Sequence, residues 1–330
     1  MKRRQFLNLG TGFCLSVTPA YRLLANQAKS NSGTGFIFDK IYLEHHLSPD
    51  HPESPLRVEV LMNLMESTGL LEQVEQVNGF VDAFPWIYKI HTKKHINSIM
   101  THYGHSHDVA LAVVAAVLSA ADEVCAGKLK NVFCATRPPG HHALNTGREE
   151  GFCFYNSIAI AARFAQQKYN LEKILIVDWD YHHGNGTEAV FYDDPNVLFF
   201  STHDQFAYPG TGDPAKTGNG AGEGYNINVH LPCGTEDKDI ISVFENVLVP
   251  AANKFKPDLI LISAGFDSRK DDLLGCFNIT DEGFVKLTRI VMSLADKYCQ
   301  GRIVSVLEGG YNVQGNATAV IHHVRTLMTV

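Results

Sequence analysis

Short apolar runs recur along the chain at intervals of a few tens of residues. After a first run at 35–38, they occur at residues 132–135, 174–177, 197–200, 259–263 and 303–307. Runs of this length, bounded by polar or glycine-containing segments, are typical of strands buried on both faces of a parallel sheet. We therefore predict a first strand at 35–38 and five buried parallel strands after it.

Helical patterns fill several of the intervals between these runs. We predict helices from Pro55 to about Thr68 and at residues 93–103, 107–126, 156–168, 238–255 and 280–298. The 107–126 segment is apolar nearly all round, which predicts that it is buried. Strands that alternate with helices indicate an α/β fold, here a single-domain doubly wound parallel sheet with helices on both faces.

Composition and charge narrow the class of protein. The chain has 330 residues, 45% of them apolar, which suits one large α/β domain with a sizeable core. The net charge of −7 argues against a broad surface for nucleic acid. The seven cysteines are scattered and none forms a CxxC pair, so we predict neither a disulfide framework nor a thiolate zinc site.

The first 30 residues have the pattern of a targeting segment. The stretch Lys2-Arg3-Arg4-Gln5-Phe6-Leu7 resembles a twin-arginine export signal, and a modest apolar stretch and small residues follow it. That stretch is too short for a stable membrane span, and no other segment is long and apolar enough for one. We expect residues 1–30 to direct export, to the periplasm, and residues 31–330 to form the functional domain. The alternative is a cytoplasmic protein with a basic N-terminus, and whether the signal is cleaved is left open.

Polar side chains follow each of the five buried strands. In chain order they are His141 with His142, Asp178 with Asp180, Ser201 with His203, Asp267, and Tyr311. In open α/β sheets, ligands bind beyond the carboxyl ends of the strands. Because polar residues follow all five strands, we predict one active site at that edge of the sheet.

Three of these residues have the chemistry of a catalytic zinc site. Asp180 and His182 lie two positions apart at a strand end, so their side chains can point the same way, and Asp267 can join them from another strand. Two carboxylates and one imidazole leave coordination positions open for water or substrate. An isolated Asp-x-His would more often be a turn or a helix cap, so the interpretation depends on Asp267 and on the wider set of motifs.

Four stretches, in this order, resemble the histone deacetylase family, including its bacterial acetylpolyamine amidohydrolase members. They are Arg137-Pro-Pro-Gly-His-His-Ala143, Asp178-Trp-Asp-Tyr-His-His-Gly-Asn-Gly-Thr187, Ser263-Ala-Gly-Phe-Asp-Ser268 and Leu307-Glu-Gly-Gly-Tyr-Asn312. The resemblance extends from about His51 to Tyr311. It implies an arginase/deacetylase-like fold and a zinc-dependent amidohydrolase that removes acetyl or other acyl groups from lysine side chains or similar amines and releases acetate.

The resemblance also implies individual roles. One zinc ion per chain would be bound by Asp180, His182 and Asp267. The catalytic residues would be His142 as general base and then acid, His141 as its positively charged neighbour, Asp178 and Asn185 as the partners behind these two imidazoles, and Tyr311 as the hydroxyl that stabilises the oxyanion. Adjacent histidines alone would more often be a buried core pair, but Pro138-Pro139-Gly140 indicates a loop at a strand end.

A substrate channel and potassium sites are implied in the same way. The channel residues would be Gly151, Phe152, Tyr208, Leu274 and Gly310. Relatives that prefer polyamines often carry an acidic residue near the position of Leu274, so leucine favours acyl-lysine, although Asp271 or Asp272 could supply acidity instead. Possible potassium sites would use Asp178, Asp180, His182 and Ser201 for one ion, and Phe191 and Tyr225 for a second.

Other functions remain open at this point. The substrate could be an acetylated lysine peptide or a small acetylated amine such as an acetylpolyamine. A catalytically silent acetyl-group binding protein is an alternative of another class, and Tyr311 with both histidines argues against it. A guanidine hydrolase of the arginase type would need a two-metal set richer in aspartates. The sequence predicts no nucleic-acid partner and does not indicate an oligomeric state.

Overall fold

The computed structural model describes residues 33–329, so the expected export signal lies outside the described residues. Eight strands form one sheet in the order β2-β1-β3-β8-β7-β4-β5-β6, and every neighbouring pair is parallel. The strands are β1 (Thr34–Ile37), β2 (Glu75–Gln76), β3 (Asn131–Cys134), β4 (Ile174–Asp178), β5 (Val197–His203), β6 (Asn226–His230), β7 (Leu259–Ala264) and β8 (Ile303–Leu307).

Ten α-helices of the described chain surround this sheet. They are α1 (Leu56–Ser67), α2 (Phe84–Ile87), α3 (Lys93–Tyr103), α4 (His105–Cys125), α5 (Ser157–Tyr169), α6 (Asn185–Phe191), α7 (Asp237–Val243), α8 (Val249–Phe255), α9 (Asp281–Tyr298) and α10 (Val313–Leu327). Short 3₁₀ helices cover Lys40–Glu44 and Gly220–Gly222, and a π-helical turn, Phe244–Leu248, joins α7 to α8.

Side chains of the central strands alternate between two apolar cores, one on each face of the sheet. In β4, for example, Leu175 and Val177 pack in one core, and Ile174 and Ile176 pack in the other. Helices α1, α9 and α10 contribute side chains to the first core, and helices α4 and α5 contribute side chains to the second. Two-sided burial is why these strands have continuous apolar sequences. The doubly wound α/β prediction is confirmed.

The predicted elements agree closely with the structure, with a few informative differences. All six predicted strands are present, and the long apolar helix is α4, which is buried along most of its length. The segment 238–255 is interrupted by the π-helical turn just before Pro250, where the N–H of Val249 bonds to the carbonyl of Phe244. The patterns did not predict edge strand β6 or helix α10, because polar and apolar residues are mixed in both.

The strand order explains how distant motifs meet. The central strands β3, β8, β7, β4 and β5 are consecutive neighbours, and these are the five strands that the polar residues follow. Because all five are parallel, their carboxyl ends lie along one edge of the sheet. Within residues 33–329, no helix combines the length and the apolar character needed to cross a bilayer.

One expectation about the cysteines is wrong. Cys233 and Cys276 form a disulfide bond across 43 residues, whereas the spacing of the cysteines gave no reason to pair them. The two residues lie in the loops after β6 and β7, which only the folded chain brings together. Among the other described cysteines, the free thiols are Cys125, Cys134, Cys153 and Cys299.

Removing this bond should lower stability measurably. A cross-link that closes a loop of 43 residues restricts the unfolded chain, and such bonds typically contribute about 2–4 kcal/mol. We expect Cys233→Ser to reduce the free energy of unfolding by about that amount in urea titrations without reductant. Cys125→Ser, at a free cysteine, is the matched control, and equal stability of the two variants would contradict the prediction.

Candidate functional site

Three side chains converge at the carboxyl edge of the sheet. Asp180 and His182 follow β4, and Asp267 follows β7, the strand beside it. The ligand atoms of these three residues all lie within 4.8 Å of one another, and His182 Nδ1 is 3.2 Å from Asp180 Oδ1 and 3.0 Å from Asp267 Oδ2. Two carboxylate oxygens and an imidazole nitrogen around one point form a donor set that can hold a metal ion.

Backbone N–H groups fix the two carboxylates. Asp180 accepts hydrogen bonds from the N–H of His182 at 2.8 Å and of Gly309 at 2.8 Å, and Asp267 accepts one from the N–H of Tyr181 at 2.8 Å. A side chain at position 309 would overlap the carboxylate oxygens of both aspartates. The glycine is therefore required for the backbone to approach them.

The charges of the cluster shift its pKa values strongly. Burial raises the pKa of Asp267 to about 7, and the nearby charge of Asp180 adds to the increase. Burial acts against the charged form of His182 as well, but hydrogen bonds to Asp180 and Asp267 raise its pKa to about 10. The protein thus gathers more negative charge here than its own imidazoles neutralise, which favours a bound cation.

The two tandem histidines have different partners. His141 Nδ1 lies 3.0 Å from Asp178 Oδ2, whereas His142 Nδ1 lies 2.8 Å from Asn185 Oδ1, at the start of α6. The two ring planes are tilted by 41° to each other, with centroids 4.0 Å apart. One imidazole therefore has an ionised partner and the other a neutral one.

This difference sets opposite pKa shifts. Burial lowers the pKa of His141, but the charges of Asp180 and Asp178 outweigh it, and the pKa lies well above its ordinary value. For His142, burial and then the charge of His141 hold the pKa well below its ordinary value. At neutral pH, His141 is the cation and His142 is a neutral base.

Tyr311 closes the site from the loop after β8. It is almost fully buried, and burial raises the pKa of its phenol well above the ordinary value, so the hydroxyl remains a hydrogen-bond donor. The guanidinium of Arg57 lies 5.0 Å from the centroid of the Tyr311 ring and donates to the carbonyl of Gly310 at 2.7 Å. The ring is thus held on one side by a buried cation.

A cavity of about 440 Å³ leads from the surface to these groups. It is lined by His142, Gly151, Phe152, Tyr181, His182, Ala207, Tyr208, Leu274 and Tyr311. No acidic side chain is among these described lining residues, so the wall is apolar and aromatic above a polar base. Such a cavity suits a narrow chain that carries a polar group at its end.

The aromatic walls depend on an unusual backbone conformation. Gly151 and Phe152 both have positive φ, 53° and 69°, and a side chain at position 151 would overlap His142 and Tyr208. The N–H of Phe152 donates to the carboxylate of Glu149, which stabilises the left-handed conformation. A strained non-glycine residue held in this way is typical of a binding site.

Gly310 differs from the other residues of the expected channel. It does not line the cavity, since its backbone, with φ of 125°, faces Asn316 and its carbonyl accepts from Arg57. Leu274 does line the cavity and is 39% exposed at its rim. Four of the five expected channel residues therefore form the wall.

The residues expected to bind potassium have other hydrogen-bond partners in the structure. Asp178 and Ser201 are register partners on β4 and β5, and the Ser201 hydroxyl lies 2.8 Å from His203 Nδ1. The carbonyl of Phe191 accepts from Asp194 at 3.0 Å, and that of Tyr225 accepts from Phe199 at 2.9 Å. The two potassium sites stay a prediction.

Glu308 is a functional residue that the sequence patterns did not reveal. It is fully buried, and its carboxylate accepts from the N–H of Gly140 at 2.7 Å and of His141 at 3.2 Å. Burial raises its pKa to about 7, against the charge of His141. Glu308 thus anchors the turn that carries both histidines. It lies in the Leu307–Asn312 stretch, in which the sequence predicts roles only for the glycine at 310 and the tyrosine at 311.

A buried ion-pair network also supports the turn that carries His141 and His142. Arg137 binds both carboxylate oxygens of Glu53, at 2.8 and 2.6 Å, and Arg57 binds Glu53 at 3.2 Å. The two arginines belong to different parts of the site. Arg137 begins the histidine motif, and Arg57 contacts Tyr311. One carboxylate therefore couples the position of the histidine turn to that of the tyrosine loop.

A second group of possible metal ligands is less suited to an ion. His141, Cys153 and Glu308 also have ligand atoms within 4.8 Å of one another. Burial and the charge of Glu308 raise the pKa of the Cys153 thiol well above its ordinary value, so thiolate formation is disfavoured. Asp180, His182 and Asp267 are therefore the better candidate ligands for a metal ion.

Replacing Gly309 tests the tight packing of the carboxylates. We expect Gly309→Ala to lower the free energy of unfolding by about 1–3 kcal/mol, because the added methyl group overlaps Asp267 and Asp180. Gly79→Ala is the matched control, since it is exposed and its nearest contacts lie at 3.9 Å, and its effect should stay near 0.5 kcal/mol. Equal losses in urea titrations would contradict the packing argument.

Comparisons with known proteins agree with this geometry. The model of the histone deacetylase domain matches residues 51–327. The chain is 36% identical to a probable deacetylase of Archaeoglobus fulgidus over 297 residues, covering 86% of this chain and 82% of that protein. It is also 36% identical to histone deacetylase 15 of Arabidopsis thaliana, covering 89% of this chain but only 57% of that longer protein.

A solved structure shows the same architecture. The crystal structure of the HDA15 HD domain superposes with a TM-score of 0.84 at 33% identity, covering 89% of this chain and 88% of that chain. The likeness thus extends over most of both chains and is not limited to an isolated motif. This chain therefore belongs to the histone deacetylase family, a family of deacetylases.

Proposed function

We propose that this protein is a zinc-dependent hydrolase that removes acetyl groups from lysine side chains of polypeptides. The observation that carries the proposal is the convergence of Asp180, His182 and Asp267 at the base of a cavity that also exposes His142 and Tyr311. A metal site, a neutral base and a hydroxyl donor are thereby available to one bound amide. The products would be acetate and the free lysine amine.

The donor set fits zinc. Two carboxylates and one imidazole provide three protein ligands and leave room for water or substrate, as in catalytic zinc sites. A bound zinc would polarise the substrate carbonyl and lower the pKa of a water molecule. It would also offset the charge of Asp180, which adds to the effect of burial in raising the pKa of Asp267.

The histidines are suited to the proton transfers. His142, neutral because of its lowered pKa, can take the proton of the attacking water and later give it to the leaving amine. Asn185 orients its ring through Nδ1 without adding a charge. His141, charged beside Asp178, would stabilise the negative charge that develops on the carbonyl oxygen.

Tyr311 would provide the remaining stabilisation of the oxyanion. Its hydroxyl keeps its proton because burial raises the phenol pKa, and the ring lines the cavity. A catalytically silent acetyl-group binder would need none of this machinery. The complete set of base, charged neighbour and hydroxyl donor favours the enzyme over the silent alternative.

The cavity rim favours a polypeptide substrate over a polyamine. Phe206, Tyr208 and Leu273 are 79%, 50% and 68% exposed, and Leu274 forms the wall beside them. The carboxylate of Asp272 already accepts two backbone N–H groups at each oxygen, so neither oxygen is free to bind a substrate amine. The cavity wall therefore offers no carboxylate to bind the second amine of a polyamine, and the exposed Asp271 is not among the residues that line the cavity.

Export by the twin-arginine route is the accompanying proposal on localisation. The Cys233–Cys276 disulfide supports it, because such bonds persist in oxidising compartments. Mass spectrometry of the mature protein tests it, and an intact N-terminus in the native host would count against it.

Metal content provides a direct test of the ligand set. Asp267→Asn removes one negative ligand at nearly constant size, so we expect the variant to lose its zinc and deacetylase activity while retaining the fold. The exposed Asp193→Asn is the control and should bind one zinc per chain. One tightly bound zinc per chain in Asp267→Asn would disprove the assignment.

Substrate preference tests the interpretation of the rim. The wild type should favour acetyl-lysine peptides over acetylspermidine by kcat/KM. Leu274→Glu introduces a carboxylate at the rim of the cavity. We expect it to shift the preference toward acetylspermidine by about 1 kcal/mol. Leu273→Glu adds the same charge one residue outside the cavity wall and should change the preference less. A wild-type preference for the acetylpolyamine would overturn the substrate proposal without affecting the zinc site.

A further inference from the structure

Asp272 connects two parts of the site that are far apart in sequence. Its Oδ1 accepts the N–H groups of Leu274 at 2.9 Å and Gly275 at 3.2 Å. Its Oδ2 accepts those of Tyr311 at 2.7 Å and Asn312 at 2.9 Å. One carboxylate therefore bonds the loop that forms the cavity wall to the backbone of the tyrosine itself.

We propose that Asp272 is a positioning residue that sets the location of the Tyr311 hydroxyl for catalysis. The inference rests on the proposed function of Tyr311 as the oxyanion donor. Tyr311 and Asn312 lie between β8 and α10, and Asp272 binds both N–H groups at this junction. A shift of this backbone moves the ring with it, and small misplacements of a catalytic group reduce rates strongly.

The chemistry of the bonds requires a carboxylate. Each oxygen of Asp272 accepts two N–H groups, so both sides of the side chain must be acceptors. An asparagine has one acceptor oxygen and one NH₂ donor, and whichever way it is turned the NH₂ meets two N–H donors. Asp272→Asn therefore breaks one pair of bonds despite its nearly identical size.

The neighbouring residue offers a matched control. Asp271 carries the same charge on the same loop, and its side chain is exposed. Only its backbone carbonyl contacts the tyrosine loop, by accepting from Asn312 Nδ2 at 2.8 Å. Asp271→Asn removes one negative charge near the rim and leaves the bonds to Tyr311 intact.

The test measures kcat and KM of the zinc-loaded full chain on an acetyl-lysine peptide. We expect Asp272→Asn to lower kcat by about 10- to 100-fold with little change in KM, and Asp271→Asn to lower it by less than about threefold. Zinc content should be unchanged in both. Equal effects of the two substitutions would overturn the proposal.

A double-mutant cycle separates positioning from general damage. In a Tyr311→Phe background the hydroxyl is absent, so Asp272→Asn should change kcat by less than about threefold. Effects that multiply would overturn the proposal. If Asp272→Asn does not fold, Asp272→Glu, which keeps both acceptor oxygens but displaces them, should show the same non-additivity.

Failure of the proposed function would be recognised separately. If the zinc-loaded wild type cleaves no acylated substrate, the role of Asp272 is judged from crystal structures of the wild type and Asp272→Asn. A displacement of the Tyr311 backbone and ring in the variant would support the positioning role, and an unchanged Tyr311 would overturn it.

Discussion

Four carboxylates, those of Asp178, Asp180, Asp267 and Glu308, are fully buried together at the carboxyl edge of the sheet, and the rest of the site depends on how their charge is compensated. An uncompensated buried carboxylate costs several kcal/mol, so each must meet donors or cations. The compensation comes from His141, His182 and backbone N–H groups. The same requirement explains the glycine at position 309, the opposite pKa shifts of the tandem histidines and the favourable site for a divalent cation.

Carboxylates that accept backbone N–H groups also stabilise the walls of the cavity. Glu149 accepts the N–H of Phe152 on one side, and Asp272 accepts the N–H of Leu274 on the other. Phe152 has a left-handed backbone conformation, with φ of 69°. Loops of this kind would otherwise be mobile, and carboxylates that bind their backbone give them the rigidity a narrow substrate channel needs.

The parts of the molecule that sequence patterns predicted are those governed by short-range periodicity. Buried parallel strands such as β4 require unbroken apolar runs, and parallel strands bring residues such as Asp180 and Asp267 to one edge. Contacts between loops have no such periodicity. The Cys233–Cys276 bond, the anchoring role of Glu308 and the four hydrogen bonds of Asp272 depend on chain segments that only the complete fold brings together.

We propose that the buried acidic cluster holds one zinc ion among Asp180, His182 and Asp267. The most direct measurement is anomalous X-ray diffraction from a crystal of the wild type, with data collected on both sides of the zinc absorption edge. We predict one strong anomalous peak per chain within coordination distance of these three side chains. A peak among His141, Cys153 and Glu308 instead, or no zinc peak from zinc-supplemented protein, would contradict the account.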